Sequence, residues 1–233
     1  MRIVIYGFEP FGGEAINPAQ LVARALDGAR LGEGIVAAHV LPVETRSLRA
    51  RLEQILAVER PQVILGLGLA GGRTALAVER LAINVLDSRV PDNQGYQAQG
   101  EPVREDGPAA LFSTLPLDEI TGRWRASALP GYRSDSAGTF CCNQALYETL
   151  WWAEAQQGVE IATGFVHLPY LPGQAAEHNP AETPSMALET MRKGVELALE
   201  SIISVAQRRG DADATAAEEA KRTRGELWIP RGR

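Results

Sequence analysis

Cysteine is nearly absent from this 233-residue chain: there are two, and they are neighbours, Cys141 and Cys142. Adjacent Cα atoms lie about 3.8 Å apart across a trans peptide, short of the roughly 4.4–6.8 Å that a disulfide spans. No disulfide framework is therefore expected, and two free thiols suit a reducing compartment. Histidine is also scarce, with three residues, and there is neither Cys-x-x-Cys nor His-Glu-x-x-His. A catalytic zinc site has no support, and no metal or other cofactor is expected. The 23 basic residues are outnumbered by 29 acidic ones, a net charge of -6, and no basic, aromatic-rich stripe offsets that. Nucleic acid is excluded as the main partner. No apolar run approaches the roughly 18 residues of a membrane helix. The opening Met-Arg-Ile-Val-Ile-Tyr-Gly is too short for a secretory leader. The expectation is a cytoplasmic protein with no membrane partner. Gly-Lys-Ser/Thr is missing as well, which excludes a P-loop.

What is present is an ordinary globular composition, 45% hydrophobic and 22% charged. A chain of this size buries roughly 70% of its unfolded surface and holds together without staples. Residues 2–6 are a β-branched run stopped by Gly7, which predicts a buried strand. Asn17-Pro18 predicts a helix start, a cap followed by proline at the first position. Further strands are expected over 34–43, 62–69, 76–85 (with a break at Glu79-Arg80) and 163–168. Helices are expected over 45–58, 139–157 and 184–207. This alternation predicts a single-domain, three-layer α/β/α fold around a mostly parallel, twisted sheet. Residues 1–210 form the expected catalytic domain. Residues 211–233, Ala- and charge-rich, are expected to be a flexible tail or a loosely attached helix. Residues 87–108 are polar and punctuated by Gly and Pro, the composition of a binding loop or lid.

The chemistry starts with the thiols. With Thr139 as helix cap, Cys142 falls at the third helical position, where free amides and the helix dipole favour a thiolate. The competing reading is a buried structural cysteine. Of the histidines, His39 lies inside a strand and His178 in a turn, both structural or solvated places. His167 ends the strand of Gly-Phe-Val-His-Leu-Pro, where open α/β sheets place their ligands. A catalytic histidine needs an orienting acceptor, and Glu79 interrupts an otherwise apolar strand. A structural pair with Arg73 or Arg80 explains Glu79 equally well. Gly66-Leu-Gly-Leu-Ala-Gly71 matches Gly-x-Gly-x-x-Gly, yet the following segment alternates as a strand, whereas a dinucleotide site needs a helix there.

A series of motifs runs along the chain: Gly7-Phe-Glu-Pro-Phe-Gly-Gly13 with Asn17-Pro18, Ala70-Gly-Gly-Arg73, Glu79-Arg-Leu-Ala-Ile-Asn84 and Arg89-Val-Pro-Asp-Asn93. Asp106-Gly-Pro-Ala-Ala110, Phe112-Ser-Thr-Leu-Pro116, Ser136-Ala-Gly-Thr-Phe-Cys-Cys-Asn143, His167-Leu-Pro-Tyr-Leu-Pro172 and Pro184-Ser-Met-Ala-Leu-Glu189 follow. Taken in order, these segments resemble pyroglutamyl peptidase I, over about residues 1–205. It implies a phosphorylase/hydrolase-like fold and a cysteine peptidase that releases 5-oxoproline from peptides beginning with pyroglutamate. It implies a Glu79, Cys142, His167 triad, with Cys142 rather than Cys141 as nucleophile. For the lactam pocket it implies Phe8, Phe11, Asn17 and Phe140, with Val90 and Cys141 lining it and Arg89 close by. A homodimer or homotetramer is implied too. The sequence departs from the family at Ser136, usually threonine, at Leu69, usually glutamine, and in the later position of His167. A nucleoside phosphorylase-like enzyme and a non-catalytic pyroglutamyl-peptide binding protein are the alternatives.

Overall fold

A computed structural model describes residues 1–226 except 157 and 159, with side chains described as far as 208. The chain opens with β1 (Arg2–Phe8), α1 (Pro18–Leu26), β2 (Arg30–Leu31), β3 (Gly34–Leu41), α2 (Thr45–Glu59) and β4 (Val63–Leu69). The expected strand over 76–85 divides at Arg80 into β5 (Leu76–Glu79) and β6 (Leu81–Ile83), followed by β7 (Leu86–Asp87), β8 (Gln99–Glu101) and β9 (Ala110–Phe112). Then come α3 (Leu117–Ala126), β10 (Gly131–Ser134), α4 (Cys141–Glu154), β11 (Ala162–Leu168), α5 (Pro172–Glu177) and α6 (Leu188–Glu226).

Seven strands form the central sheet in the order β10-β5-β11-β4-β1-β3-β2, while β6–β9 and β7–β8 make two small ribbons. Pairing is parallel except for β5–β11 and the edge pair β2–β3. Side-chain alternation, period two along a strand, divides the core. Ile3, Ile5, Val63, Leu65, Leu67, Val78 and Val166 face one layer, packed by α1, α3 and α6. Val4, Tyr6, Phe8, Ile64 and Phe165 face the other, packed by α2 and α4. The result is the expected α/β/α arrangement, and among the described residues no helix is long and apolar enough to cross a membrane.

Asn17 caps α1, its Oδ1 accepting from Ala19 N at 2.9 Å while Nδ2 donates to Glu9 O at 3.0 Å. Gly7 lets α1 approach, because a Cβ there would lie 2.3 Å from Ala19 O. α6 starts at Leu188 rather than at Pro184. The stretch before it is extended, with a bridge between Tyr170 and Ser185 and Met186 N donating to Tyr170 O at 2.8 Å. At its other end α6 runs past 207 to Glu226. Residues 211–226 are thus helical in backbone, and 227–233 lie outside the described residues.

Candidate active site

Glu79 and His167 meet across the antiparallel β5–β11 pair. His167 stands opposite Ala77, and Glu79 follows two residues later on the same face. Such a diagonal neighbour is within reach of long side chains. Their neighbours Val78 and Val166 point into the opposite core layer. His167 Nδ1 lies 2.7 Å from Glu79 Oε1, and Arg73 Nη1 donates to the same oxygen at 2.8 Å. Glu79 is fully buried. Burial by itself would raise its pKa, but the hydrogen bond and charge of His167, with help from Ser134 and Arg73, hold the carboxyl below the usual range. The Ser134 hydroxyl donates instead to Ser136 O at 3.3 Å, leaving Glu79 Oε2 without a hydrogen bond. Burial pushes His167 below an ordinary histidine, with Glu79 opposing and Arg73 adding to the depression. An ionised carboxylate only accepts, so Nδ1 carries the proton and Nε2 is the free base. Arg80, the other partner weighed for Glu79, pairs with Asp135 at 2.8 Å.

The thiols sit at the start of α4, one position earlier than expected. Phe140 is the cap residue, so Cys142 occupies the second helical position and not the third. Thr139 does not cap, because its hydroxyl donates to Asp87 O at 2.6 Å. No side chain caps α4, and the first intrahelical bond is Gln144 N to Phe140 O. The amides of Cys141, Cys142 and Asn143 therefore have no partner within the helix. Cys142 Sγ rests against Gly68, where a Cβ would lie 2.7 Å from it. Gly68 is the register partner of His167 across the β4–β11 pair. Neighbouring strands lie about 4.8 Å apart, so the thiol is placed beside the histidine strand.

Burial drives the Cys142 thiol well above an ordinary cysteine, and Cys141 and Glu79 add to the rise. Arg73 and the Cys142 amide oppose it without prevailing. Burial thus works against the thiolate that the helix position favours. Cys141 is buried, 3.8 Å from Thr45 Oγ1, and burial pushes its thiol up to about 12.

Beside the thiols lies a small pocket lined by Phe8, Phe11, Asn17, Val43, Leu69, Phe140, Cys141 and Cys142. Phe11 and Phe140 pair at 6.0 Å between ring centres, while Phe8 packs edge-on against Tyr6 at 6.1 Å. Phe11 and Phe140 are thus the paired rings at the pocket, and Phe8 also lies on its wall. Arg89 and Val90 are exposed and are not among the lining residues. The structure brings Val43 to the cavity wall, which no motif signalled.

The loop carrying Arg89 and Val90 is pinned rather than free. Asp92 accepts from Thr45 N at 2.9 Å, supplying the cap that α2 lacks from its own Glu44, and also from Gln94 N and Tyr96 N. Asn93 donates to Glu9 Oε1 and Pro10 O, at 2.7 and 3.0 Å. The glycine motif also has a packing role: Cβ atoms on Gly66 and Gly71 would lie 2.3 Å from the Phe165 ring and 2.5 Å from the Tyr170 ring. The motif leads into β5, not into a helix. His39 bonds Glu59 at 3.0 Å and His178 bonds Glu14 at 2.7 Å, the structural places expected for them.

Residues 1–205 match the sequence model for pyroglutamyl peptidase. The pyrrolidone-carboxylate peptidase of Treponema denticola is 43% identical over 205 residues, covering 87% of this chain and 94% of that protein. That of Escherichia fergusonii is 44% identical over 215 residues, covering 92% and 96%. The solved pyrrolidone carboxyl peptidase of Thermococcus litoralis superposes with a TM-score of 0.86 at 36% identity, covering 89% of this chain and 96% of that one. These likenesses give no support to the phosphorylase-like or non-catalytic alternatives. On sequence and fold together, the chain belongs to the pyroglutamyl peptidase family.

Proposed function

We propose that this chain hydrolyses the amide bond after an N-terminal pyroglutamyl residue, with Cys142 as nucleophile, His167 as base and then acid, and Glu79 as its orienting carboxylate. The observation that carries the reading is the pairing of His167 Nδ1 with Glu79, with Cys142 Sγ lodged against the register partner of His167. Nε2 takes the thiol proton as sulfur attacks the scissile carbonyl. The resulting imidazolium, stabilised by Glu79, returns that proton to the leaving amine. The amides at the start of α4, which have no partner within the helix, are the natural donors to the oxyanion, each worth about 3–4 kcal/mol in such sites. Water then attacks the thioester, with Nε2 as base, and releases 5-oxoproline.

The lactam has no α-ammonium to grip, only methylenes and one amide edge. Phe11 and Phe140 supply apolar faces. Asn17 already makes two structural hydrogen bonds, which leaves one amide hydrogen for the ligand. Phe8, Leu69 and Cys141 complete the wall, and we assign Arg89 and Val90 to the rim, where the rest of the peptide passes. The catalytic unit is residues 1–210, working in the cytoplasm as a homodimer or homotetramer. Light scattering reads the last point.

The test is a pair of fluorogenic amides. The pyroglutamyl amide should be cleaved and the prolyl amide should not, because proline brings a cationic nitrogen into an apolar site and lacks the lactam carbonyl. Equal turnover of both contradicts this assignment.

A further inference from the structure

Arg73 touches three parts of the site at once. It lies in the turn after β4, where its own amide donates to Ala70 O at 3.3 Å. Nη1 donates to Glu79 Oε1 at 2.8 Å, and Nη2 donates to Ser136 O at 3.1 Å. Ser136 belongs to the segment that runs directly into α4 and Cys142. The guanidinium also lies 6.0 Å from the centre of the Tyr132 ring of β10. One rigid fork therefore joins the turn after β4, the carboxylate of β5 and the approach to the nucleophile helix. Glu79 Oε1 thus takes both this fork and His167, with Ser134 also acting on the carboxyl.

We propose that Arg73 is a positioning residue for this chain's reaction: it holds Glu79 and the Ser136 segment together and keeps a positive charge against the Glu79–His167 pair. The inference rests on the triad reading above. A planar guanidinium suits this task, since its donors are fixed relative to one another, whereas a lysine ammonium makes a point contact. The titratable groups acting on the imidazole are Glu79 from β5 and Arg73 from the turn; those acting on the Cys142 thiol of α4 are Cys141, Glu79 and Arg73, with Tyr6 from β1 next to it. Arg73 is the one cation among these groups. It disfavours protonation of His167 and opposes the rise of the Cys142 thiol. Removing one positive charge raises both protonation equilibria, so the acid limb of activity moves up whichever of the two it reports. An arginine with a merely structural role leaves that limb where it is and lowers the whole profile.

The experiment is the pH profile of kcat/KM on a pyroglutamyl amide for the wild type, Arg73→Gln and Arg73→Lys, with thermal melting of each. Arg73→Gln should move the acid limb up by roughly 0.5–1 pH unit and lower kcat about tenfold or more. Arg73→Lys should keep the limb, because the charge remains, and lose kcat several-fold, because the fork to Ser136 is gone. An Arg73→Gln limb that superposes on the wild type overturns the proposal. If Arg73→Gln does not fold, Arg73→Lys decides alone: wild-type kcat throughout, or a limb moved as far as half a unit, overturns it. Cys142→Ser is the control for the reading underneath. If that variant is dead while the Arg73 variants behave as wild type, only this inference fails; if it stays active, the triad itself fails.

Discussion

A methyl group added at Gly68 would sit 2.7 Å from Cys142 Sγ, closer than any real Cβ approaches a sulfur. The glycine of β4 thus defines the seat of the thiol, and the Phe165 ring at 2.8 Å closes the other side. Gly68→Ala should therefore displace the sulfur from His167. We expect a loss of about 100-fold in kcat, the scale of a 1 Å misplacement, with about 1–3 kcal/mol of overpacking cost in a thermal melt. A variant with wild-type kcat would mean that the thiol has room the structure does not give it.

The pH dependence follows from the directions in which burial moves the two groups. His167 is depressed, so the acid limb of kcat/KM should fall below the ordinary histidine value of about 6.5. The Cys142 thiol is raised, so its alkylation by iodoacetamide in the free enzyme should keep climbing through the alkaline range. A rate that is already flat by neutral pH would indicate a preformed thiolate–imidazolium pair. Stability should move with the same groups. Both His167 and Glu79 have folded pKa values below their unfolded ones, so the unfolded chain binds protons first. The stability each gives is present above its unfolded value, about 6.5 and 4.3, and is lost as the pH falls through the folded one. Urea midpoints measured between pH 8 and pH 4 should decline on the acid side.

The aromatic pair at the cavity should govern substrate affinity rather than chemistry. Phe11→Ala and Phe140→Ala should each raise KM for the pyroglutamyl amide about tenfold or more, with a smaller effect on kcat. A fall in kcat at unchanged KM would move these rings from binding to catalysis.

Much of this was legible in the chain. The β-branched run before Gly7, the Asn17-Pro18 cap and the 62–69 strand predict their elements because burial and capping act locally. A carboxylate in an apolar strand, a thiol near a helix start and a histidine at a strand end made Glu79, Cys142 and His167 candidates, each with a structural reading beside it, and only the family resemblance joined them. What the sequence could not carry was distance. The shared carboxylate oxygen of Glu79 joins residues 73, 79 and 167, and no periodicity links them. Helix α3 went unpredicted because Ile120 and Trp124 are its buried positions among charged neighbours. The cap of α4 shifted because Thr139 bonds Asp87, a partner 52 residues away. Helix position speaks only of the dipole that favours a thiolate, whereas the burial that opposes it is a property of the whole fold.

The C-terminal extension should be dispensable for the chemistry. The family match ends at residue 205, and among the described residues the buried core positions of α6 run from Met191 to Ile203. A chain stopped after Gly210 should keep kcat/KM within a few-fold. A loss beyond about tenfold, roughly 1.4 kcal/mol, would mean that residues 211–233 complete the site or the assembly.

The most direct test of the account separates the two adjacent thiols. Helix geometry turns consecutive side chains about 100° apart, so each has its own surroundings although both reach the cavity. On the fluorogenic pyroglutamyl amide, Cys142→Ser should lose activity by at least about 1,000-fold, since an alcohol is far harder to ionise than a thiol. Cys141→Val should keep turning over, with a change in KM from the altered wall. A dead Cys141→Val beside an active Cys142→Ser would contradict the assignment of the nucleophile and the mechanism built on it.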